Sequence, residues 1–373
     1  MRVAIVHEWL ETYAGSERVL EQLLGLFPQA DLFAVCDFLP ESERGFLGGK
    51  APTTSFIQRL PRARKWFRYY LGLMPIAVEQ FDLSGYDLVL SSSHAVAKGV
   101  LTGPATLHVS YVHSPMRYAW DLQHQYLRQA RMETGLKGLL TRRLLHGLRG
   151  WDHASAARPD IIAANSAWIA ERIRKTWRRE SVVVHPPVDI EGFPFVAAKQ
   201  DYYFLASRMV PYKRVDLVAE AFRAMPDKRL VIAGDGPEMG RVREAAGDAK
   251  NIEILGRVKQ PDLVRLLQSA RAFVFAAEED FGIAMVEAQA CGTPLIAYGR
   301  GGASDIVLPD ETGVLFPHQT ADSIRAGVAR FEALSIAPEA CRANAERFSH
   351  AVFRDRIMAL LRDACAARGM PAP

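Results

Sequence analysis

Short β-branched runs followed by helical stretches occur twice along this chain, with one break between the two series. Arg2 to His7 (RVAIVH) reads as a buried parallel strand. A loop with Ala14, Gly15 and Ser16 follows, then a helix over residues 17–26. Residues 86–91, 107–111 and 160–164 read as further strands, and Asn165-Ser166 as the turn and N-cap of a helix starting near Ala167. The pattern stops at His185-Pro186-Pro187, where two prolines, then Gly192 and Pro194, mark a linker. It resumes with strands over 202–206, 229–233, 252–255, 272–276, 294–297 and 313–316. Helices over 215–225, 261–269 and 281–290 alternate with them, and the tail over 338–368 is mostly helical. Such alternation predicts an α/β fold of two doubly wound parallel-sheet domains facing across a cleft. The expected division is 1–184 and 185–352, with a C-terminal helix over about 353–373 packing back on the first domain. Ligands of such sheets sit at the carboxyl ends of the strands, so chemistry is sought there.

With 373 residues, 49% hydrophobic and 24% charged, the chain is long enough for two cores of ordinary size. A net charge of +4 does not by itself imply a nucleic-acid partner. The basic residues nevertheless cluster. Arg59, Arg62, Arg64, Lys65 and Arg68 run without an acid among them. Arg128, Arg131, Lys137, Arg142, Arg143 and Arg149 form a second stretch that holds only Glu133. Cys36, Cys291, Cys341 and Cys365 match no metal-ligand spacing and read as buried or incidental thiols of a reducing compartment. The first ten residues lack a signal peptide's long apolar region, and no apolar stretch of about 18 residues occurs. The expected location is cytoplasmic, soluble or peripheral on the inner face of the plasma membrane.

Residues 276–287 (AAEEDFGIAMVE) place Glu279 in a loop after a strand, and Glu287 within the first two turns of a helix opened by Phe281-Gly282. Exposed amides at a helix start hold anions or sugar oxygens, and a carboxylate accepts two hydrogen bonds from sugar or ribose hydroxyls. Gly282 would let a ligand approach the backbone. Alone, the same acids could simply complement the positive end of a helix. Residues 207–216 (SRMVPYKRVD) follow the first strand of the second series. There Arg208 and Lys213 can converge on a diphosphate and neutralise charge as a glycosidic bond breaks; in isolation the simpler reading is a solvated basic loop. Gly234-Asp235-Gly236-Pro237 is a tight turn after a strand, and Gly256-Arg257-Val258 follows another. His113 sits past a strand end within residues 111–121 (YVHSPMRYAWD), whose aromatic residues either stack on sugar faces or belong to the core. No Asp-x-Asp occurs, so the usual metal–diphosphate motif is missing, and no Gly-x-Gly-x-x-Gly follows a strand, which argues against a nicotinamide dehydrogenase.

Taken together, these residues resemble the retaining GT-B glycosyltransferases of family four, also called glycosyltransferase group 1. Glu279 and Glu287, bracketing Phe281-Gly282, are similar to the family's pair of glutamates separated by seven residues. Cys291-Gly292-Thr293-Pro294 matches its small-Gly-x-Pro turn. Residues 301–307 (GGASDIV) match the glycine-rich stretch that follows, with Asp305 in place of the usual Glu. Arg208, Pro211 and Lys213 fit the basic loop, although Arg214 stands where Gly is more usual. Gly15, Glu17 and Arg18 match the first loop; Ala14 departs from it, and an Ala tolerates positive φ less well, which predicts a less mobile or differently bent loop. The stretch from His113 to Asp121 is similar to bacterial O-antigen mannosyl- and rhamnosyltransferases.

The resemblance implies a GT-B fold of two Rossmann-like domains, the first for the acceptor and the second for the donor. It implies that Glu287 binds the donor ribose, that Glu279 binds a hydroxyl of the transferred sugar, and that the amides of Phe281, Gly282 and Ile283 hold other sugar oxygens. Arg208 and Lys213 would meet the diphosphate, Gly15, Gly234 and Gly236 would lie in donor-binding loops, Val258 would lie against the base, and His113 near the sugar. The implied reaction moves a hexose, mannose or a deoxy relative, from a GDP-sugar to a glycan, with retention. The acceptor would be a polyprenyl-diphosphate-linked oligosaccharide of O-antigen or exopolysaccharide synthesis. No cofactor or metal is expected beyond the nucleotide-sugar co-substrate. A UDP-sugar donor, a sugar-nucleotide epimerase and a non-catalytic nucleotide-sugar-binding protein are the alternatives. The basic runs come with no recognition motif, which argues against a nucleic-acid partner. Residues 58–74 mix five basic side chains with Trp66, Phe67, Tyr69 and Tyr70. That suits an anionic membrane surface and a lipid-linked oligosaccharide acceptor; a solvated basic helix is the other reading.

Overall fold

The computed structural model describes residues Met1 to Pro373. The chain forms two units, Met1–Pro186 with Phe353–Pro373, and Pro187–Val352, each built on its own parallel sheet.

In the first unit the strands are β1 (Val3–Leu10), β2 (Asp31–Asp37), β3 (Thr53–Thr54), β4 (Leu88–Ser93), β5 (Leu107–Val112), β6 (Ile161–Ala164) and β7 (Val182–Val183). Their order is β3-β2-β1-β4-β5-β6-β7. Ile5 of β1 stands between Leu32 of β2 and Leu90 of β4. Both faces of these strands are covered, so they read as continuous apolar runs and not as alternating ones. The helix Gly15–Leu26 and the C-terminal helix His350–Ala367 serve one face. Phe353, Ile357, Leu361, Ala364 and Cys365 recur at helical spacing, forming one apolar stripe that joins the core of Leu20, Leu90 and Tyr111.

The other face packs Phe33, Phe67, Met74 and Val78 with Leu145 and Leu148 of the helix Gly135–Ser155. That helix is pinned by a buried ion pair, Lys98 Nζ to Asp152 Oδ1 at 2.6 Å. Asp152 Oδ2 also accepts the indole N–H groups of Trp120 and Trp177, each at 2.7 Å. A buried charge requires this degree of satisfaction. Trp120 is thus anchored by its indole N–H and packs, half-buried, against the core of its unit.

The strands of the second unit are β8 (Tyr203–Ala206), β9 (Leu230–Ala233), β10 (Ile252–Gly256), β11 (Ala272–Phe275), β12 (Leu295–Tyr298) and β13 (Gly313–Phe316), in the order β10-β9-β8-β11-β12-β13. Helices Gln260–Ser269 and Ile283–Ala290 cover one face, and Val215–Arg223 and Ala321–Glu332 the other. The direction of winding reverses between β1 and β4 in the first sheet, and between β8 and β11 in the second. Such switch points open a crevice at the strand ends because the flanking loops diverge to opposite faces.

All four cysteines are buried and unpaired. Burial pushes the thiols of Cys36, Cys291 and Cys341 up to about 12. No helix is long and apolar enough to cross a membrane.

Candidate active site

In the second unit, the loop after β8 carries Arg208 and lies directly on the loop after β9. The Ser207 N–H donates to the Ala233 carbonyl at 3.1 Å, and the Met209 N–H to the Asp235 carbonyl at 2.9 Å. Gly234 has φ 125° and Gly236 φ 156°. A Cβ at Gly234 would stand 1.9 Å from the Ser207 carbonyl oxygen, and one at Gly236 would stand 2.3 Å from that of Met209. The two glycines thus seat the Arg208 loop through backbone contact. Arg208 itself is exposed. After the turn Pro211–Lys213, Arg214 adopts φ 51°, a left-handed conformation that costs a non-glycine residue about 1–2 kcal/mol. This explains why glycine is the usual residue there. The Arg214 Nε, 3.4 Å from Asp216 Oδ1, offsets part of the cost.

The loop after β11 carries Glu279, whose carboxylate is paired with the Lys213 ammonium. The two side chains keep only 14% and 18% of their surface exposed. Gly301 and Gly302 support this loop from behind. The Gly302 N–H donates to the Glu279 carbonyl at 2.9 Å. A Cβ at Gly301 would meet the Glu279 carbonyl oxygen at 2.3 Å, and one at Gly302 would meet that of Phe281 at 2.1 Å. Phe281 is buried edge-on against Phe348. Gly282, at φ 103°, caps the helix Ile283–Ala290, which holds the buried Glu287. Behind the 291–294 turn, Lys199 Nζ donates to the Gln268 and Cys291 carbonyls and to Thr293 Oγ1 at 2.8–2.9 Å. Burial lowers its pKa to about 8. Val258 lines an open groove of about 510 Å³ between the sheet edge and the helix Gln260–Ser269, together with Tyr202, Arg229, Glu253 and Leu255. The walls of this groove include neither Lys213 nor Glu279.

In the first unit a chain of polar contacts runs from His113 to the start of the helix whose first residue is Gly15. His113 follows β5 and donates its N–H to the Ser93 carbonyl at 2.8 Å. Its Nε2 lies 2.8 Å from Ser92 Oγ, which lies 3.1 Å from His7 Nδ1. His7 Nε2 lies 3.2 Å from Glu17 Oε1. Burial lowers the His113 pKa to about 3, with His94 and His7 adding to the effect, so its ring is neutral near pH 7. Burial raises the Glu17 pKa, but the bond and charge of His7 more than offset it, and the net shift is downward. Glu17 Oε2 accepts the Ala14 N–H at 3.0 Å, capping the helix in which Gly15 is the first residue. Ala14 is extended at φ −137°, so the positive φ that would have made alanine awkward is not used. The concern over Ala14 falls away for that reason.

Sequence reasoning did not single out His7, Glu8, Ser92 or His94 for the site. Glu8 is fully buried, and its carboxylate accepts from Ser93 Oγ and from the N–H groups of His94, Ala95, Val96 and Ala97 at 2.7–3.0 Å. Burial raises its pKa, but His94 and these amides reverse the shift. The available signal was a pair of polar runs, His7-Glu8 in the second half of β1 and Ser91–His94 at the end of β4, within otherwise apolar strands. No group of three or more His, Cys, Asp or Glu side chains is placed to hold a metal ion.

Residues 191–348 match the family described as glycosyl transferases group 1. The chain carries a group 1 glycosyl transferase domain. It holds Arg208, Lys213, Glu279 and Glu287, while Gly15 and His113 lie outside the matched residues. Over 131 residues the chain is 35% identical to the GDP-mannose-dependent monoacylated alpha-(1-6)-phosphatidylinositol monomannoside mannosyltransferase of Corynebacterium glutamicum, covering 32% of this chain and 34% of that protein. Over 194 residues it is 28% identical to the D-rhamnosyltransferase WbpZ of Pseudomonas aeruginosa, covering 48% of each. The chain thus spans about half or less of the length of these curated relatives. Among solved structures, the lipopolysaccharide outer core galactosyltransferase WaaB superposes with a TM-score of 0.66 at 16% identity, over 99% of this chain and 100% of that one. The Anabaena HepE complex with UDP-glucose superposes at 0.64 and 16% identity, over 96% and 99%. These likenesses establish the GT-B fold. Within the group 1 domain, the Arg208 and Glu279 loops flank the switch point of its sheet.

Proposed function

We propose that this protein is a retaining glycosyltransferase that moves a hexose from a GDP-sugar to a glycan. The observation that carries the reading is the Lys213–Glu279 pair beside the Arg208 loop, at the β8/β11 switch point of the group 1 domain. In this reading Glu287 holds the ribose, Glu279 holds a sugar hydroxyl, and the Phe281, Gly282 and Ile283 amides take other sugar oxygens. His113 also meets the sugar, and Val258 the base. The bond between the sugar carbon and the donor phosphate breaks, and the acceptor oxygen bonds to that carbon on the same face. A donor phosphate oxygen takes the acceptor's proton, while Arg208 and Lys213 stabilise the departing diphosphate. The GDP-mannose-dependent relative supports a guanine donor at 35% identity, whereas the UDP-glucose complex is only 16% identical. The test is a donor panel of GDP- and UDP-sugars with lipid-linked acceptor mimics, reading anomeric configuration by NMR. GDP-mannose is expected to turn over at least about tenfold faster than any UDP-sugar, a difference worth about 1.4 kcal/mol. Preference for a UDP-sugar, or an inverted product, would sink the corresponding part of the reading.

The acceptor in this proposal is a polyprenyl-diphosphate-linked oligosaccharide met at an anionic membrane surface. Support comes from an exposed apolar patch on the first unit. Tyr69 is 81% exposed, and Leu73 and Ile76 also face solvent. On the helix Gly135–Ser155, Leu136, Leu139, Leu140 and Leu144 form one exposed stripe opposite the buried Gly138, Leu145 and Asp152. A Cβ on Gly72 would lie 2.9 Å from Leu144 Cδ1, so the two parts of the patch meet. Arg62, Arg64, Lys65, Lys137 and Arg143 accompany it in sequence, and each basic residue near an anionic surface contributes about 1 kcal/mol. Vesicles containing phosphatidylglycerol are expected to float the protein in low salt and release it in high salt. Leu136→Glu with Leu140→Glu should abolish flotation while leaving turnover of a soluble acceptor intact. Failure to float in low salt would remove the membrane, and flotation that ignores salt and both substitutions would remove this patch as the surface that meets it.

A further inference from the structure

The polar chain in the first unit determines which ring nitrogen His113 can offer to a ligand. The reasoning starts at Glu17, which is held as a carboxylate and can only accept hydrogen bonds. Its Oε2 takes the Ala14 N–H and the Ser16 hydroxyl, each at 3.0 Å, and its Oε1 faces His7 Nε2 at 3.2 Å. His7 Nε2 must therefore carry a proton. With that one proton on the ring, Nδ1 is a bare lone pair, and the Ser92 hydroxyl faces it at 3.1 Å as its donor. Having donated to His7, the Ser92 hydroxyl has only acceptor capacity left. It faces His113 Nε2 at 2.8 Å, so that nitrogen must be the donor. His113 is neutral, and its second nitrogen, Nδ1, is left as an acceptor. His7 and Ser92 are fully buried, whereas His113 keeps part of its surface exposed.

We infer that Glu17, His7 and Ser92 are positioning residues that hold His113 as its Nε2–H tautomer, so that Nδ1 presents a lone pair and selects a ligand hydroxyl over a carbonyl or carboxylate. The inference rests on the reading of His113 as a sugar contact, but its structural half does not. His94, Glu8 and Arg117 also act on this cluster, and the Tyr111 ring packs edge-on against His113. Their electrostatic effect falls on the ring as a whole, and they do not replace Ser92 as the partner of Nε2.

The test uses the full chain with ¹⁵N-histidine, recording long-range proton–nitrogen spectra at pH 8. The His113 signal is identified by its loss in His113→Gln. The wild type is expected to show protonated Nε2 and unprotonated Nδ1. Ser92→Ala removes the acceptor and should give mixed tautomers, and Ser92→Thr, which keeps the hydroxyl, should restore the single one. In the donor assay Ser92→Ala should raise KM about tenfold with kcat much less affected, and Ser92→Thr should recover most of it. A wild-type His113 in the Nδ1–H form, or a tautomer unmoved by Ser92→Ala, would overturn the relay. Absence of transferase activity would leave the nitrogen spectra to decide, so the relay and the proposed function fail separately. Matching circular dichroism and melting curves exclude an unfolded variant.

Discussion

Lys213→Ala is expected to lower kcat by about 10²–10³ in the donor assay while the chain stays folded. The ammonium of Lys213 serves two partners in turn. In the free protein it neutralises the mostly buried Glu279 carboxylate. With a donor bound, we expect it to be drawn towards the diphosphate, whose charge grows as the sugar leaves. That second interaction strengthens in the transition state, so its loss falls on kcat and not only on KM. Loss of the first leaves Glu279 without its cation in a confined place, at about 1–3 kcal/mol. Partial exposure and solvent screening pull that figure towards the lower end. Lys213→Arg keeps the charge but not the compact ammonium, and should retain an intermediate rate. Arg208→Ala acts on the same leaving group, so the double variant should lose less than the product of the single losses. Steady-state rates at saturating donor, set beside melting temperatures, separate the two roles. A lowered melting temperature with unchanged kcat would leave Lys213 with only a structural part.

Gly302→Ala should destabilise the second unit by about 3 kcal/mol and raise the donor KM more than tenfold. The backbone at Gly302 is ordinary, with φ −64°, so an alanine suffers no conformational penalty there. The cost comes from contact alone. The added methyl would stand 2.1 Å from the Phe281 carbonyl oxygen and 2.4 Å from its Cα, and both are backbone atoms. Relief requires moving the loop that carries Glu279 and opens the helix Ile283–Ala290. Gly240→Ala is the control. It lies in the helix Met239–Ala246 with nothing within 4 Å of its would-be Cβ, and should stabilise by about 1 kcal/mol. Melting and donor-titration curves for the two variants check the contrast. A Gly302→Ala protein that melts and binds like the wild type would show that the loop yields without cost.

Much of the site-bearing architecture was legible because it is written in short-range pattern. β8, β9, β11 and β13 fall within about a residue of the predicted runs, since a strand buried on both faces is a short apolar run bounded by turn residues. Ser166 caps its helix as predicted, accepting from the Ile169 N–H at 3.2 Å. The helix Gly135–Ser155 was missed for a physical reason. Its solvent face carries four leucines, so apolar residues lie on two sides and the amphipathic period blurs. β2, Asp31–Asp37, was missed although Leu32–Cys36 is an apolar run of the same kind.

By itself the sequence determined the two strand–helix series, the linker between them and the glycine turns beside the loops of Arg208 and Glu279. These depend on residues within a few positions of one another. Tertiary structure alone decided that Lys213 pairs with Glu279, 66 positions away, and that His7 reaches Ser92, 85 positions away. It alone showed that Gly234 and Gly302 are needed for the backbones they touch, Ser207 and Phe281. A side chain's partner across a parallel sheet is set by strand order and register. Those follow from packing the whole unit, and no local window of sequence contains them.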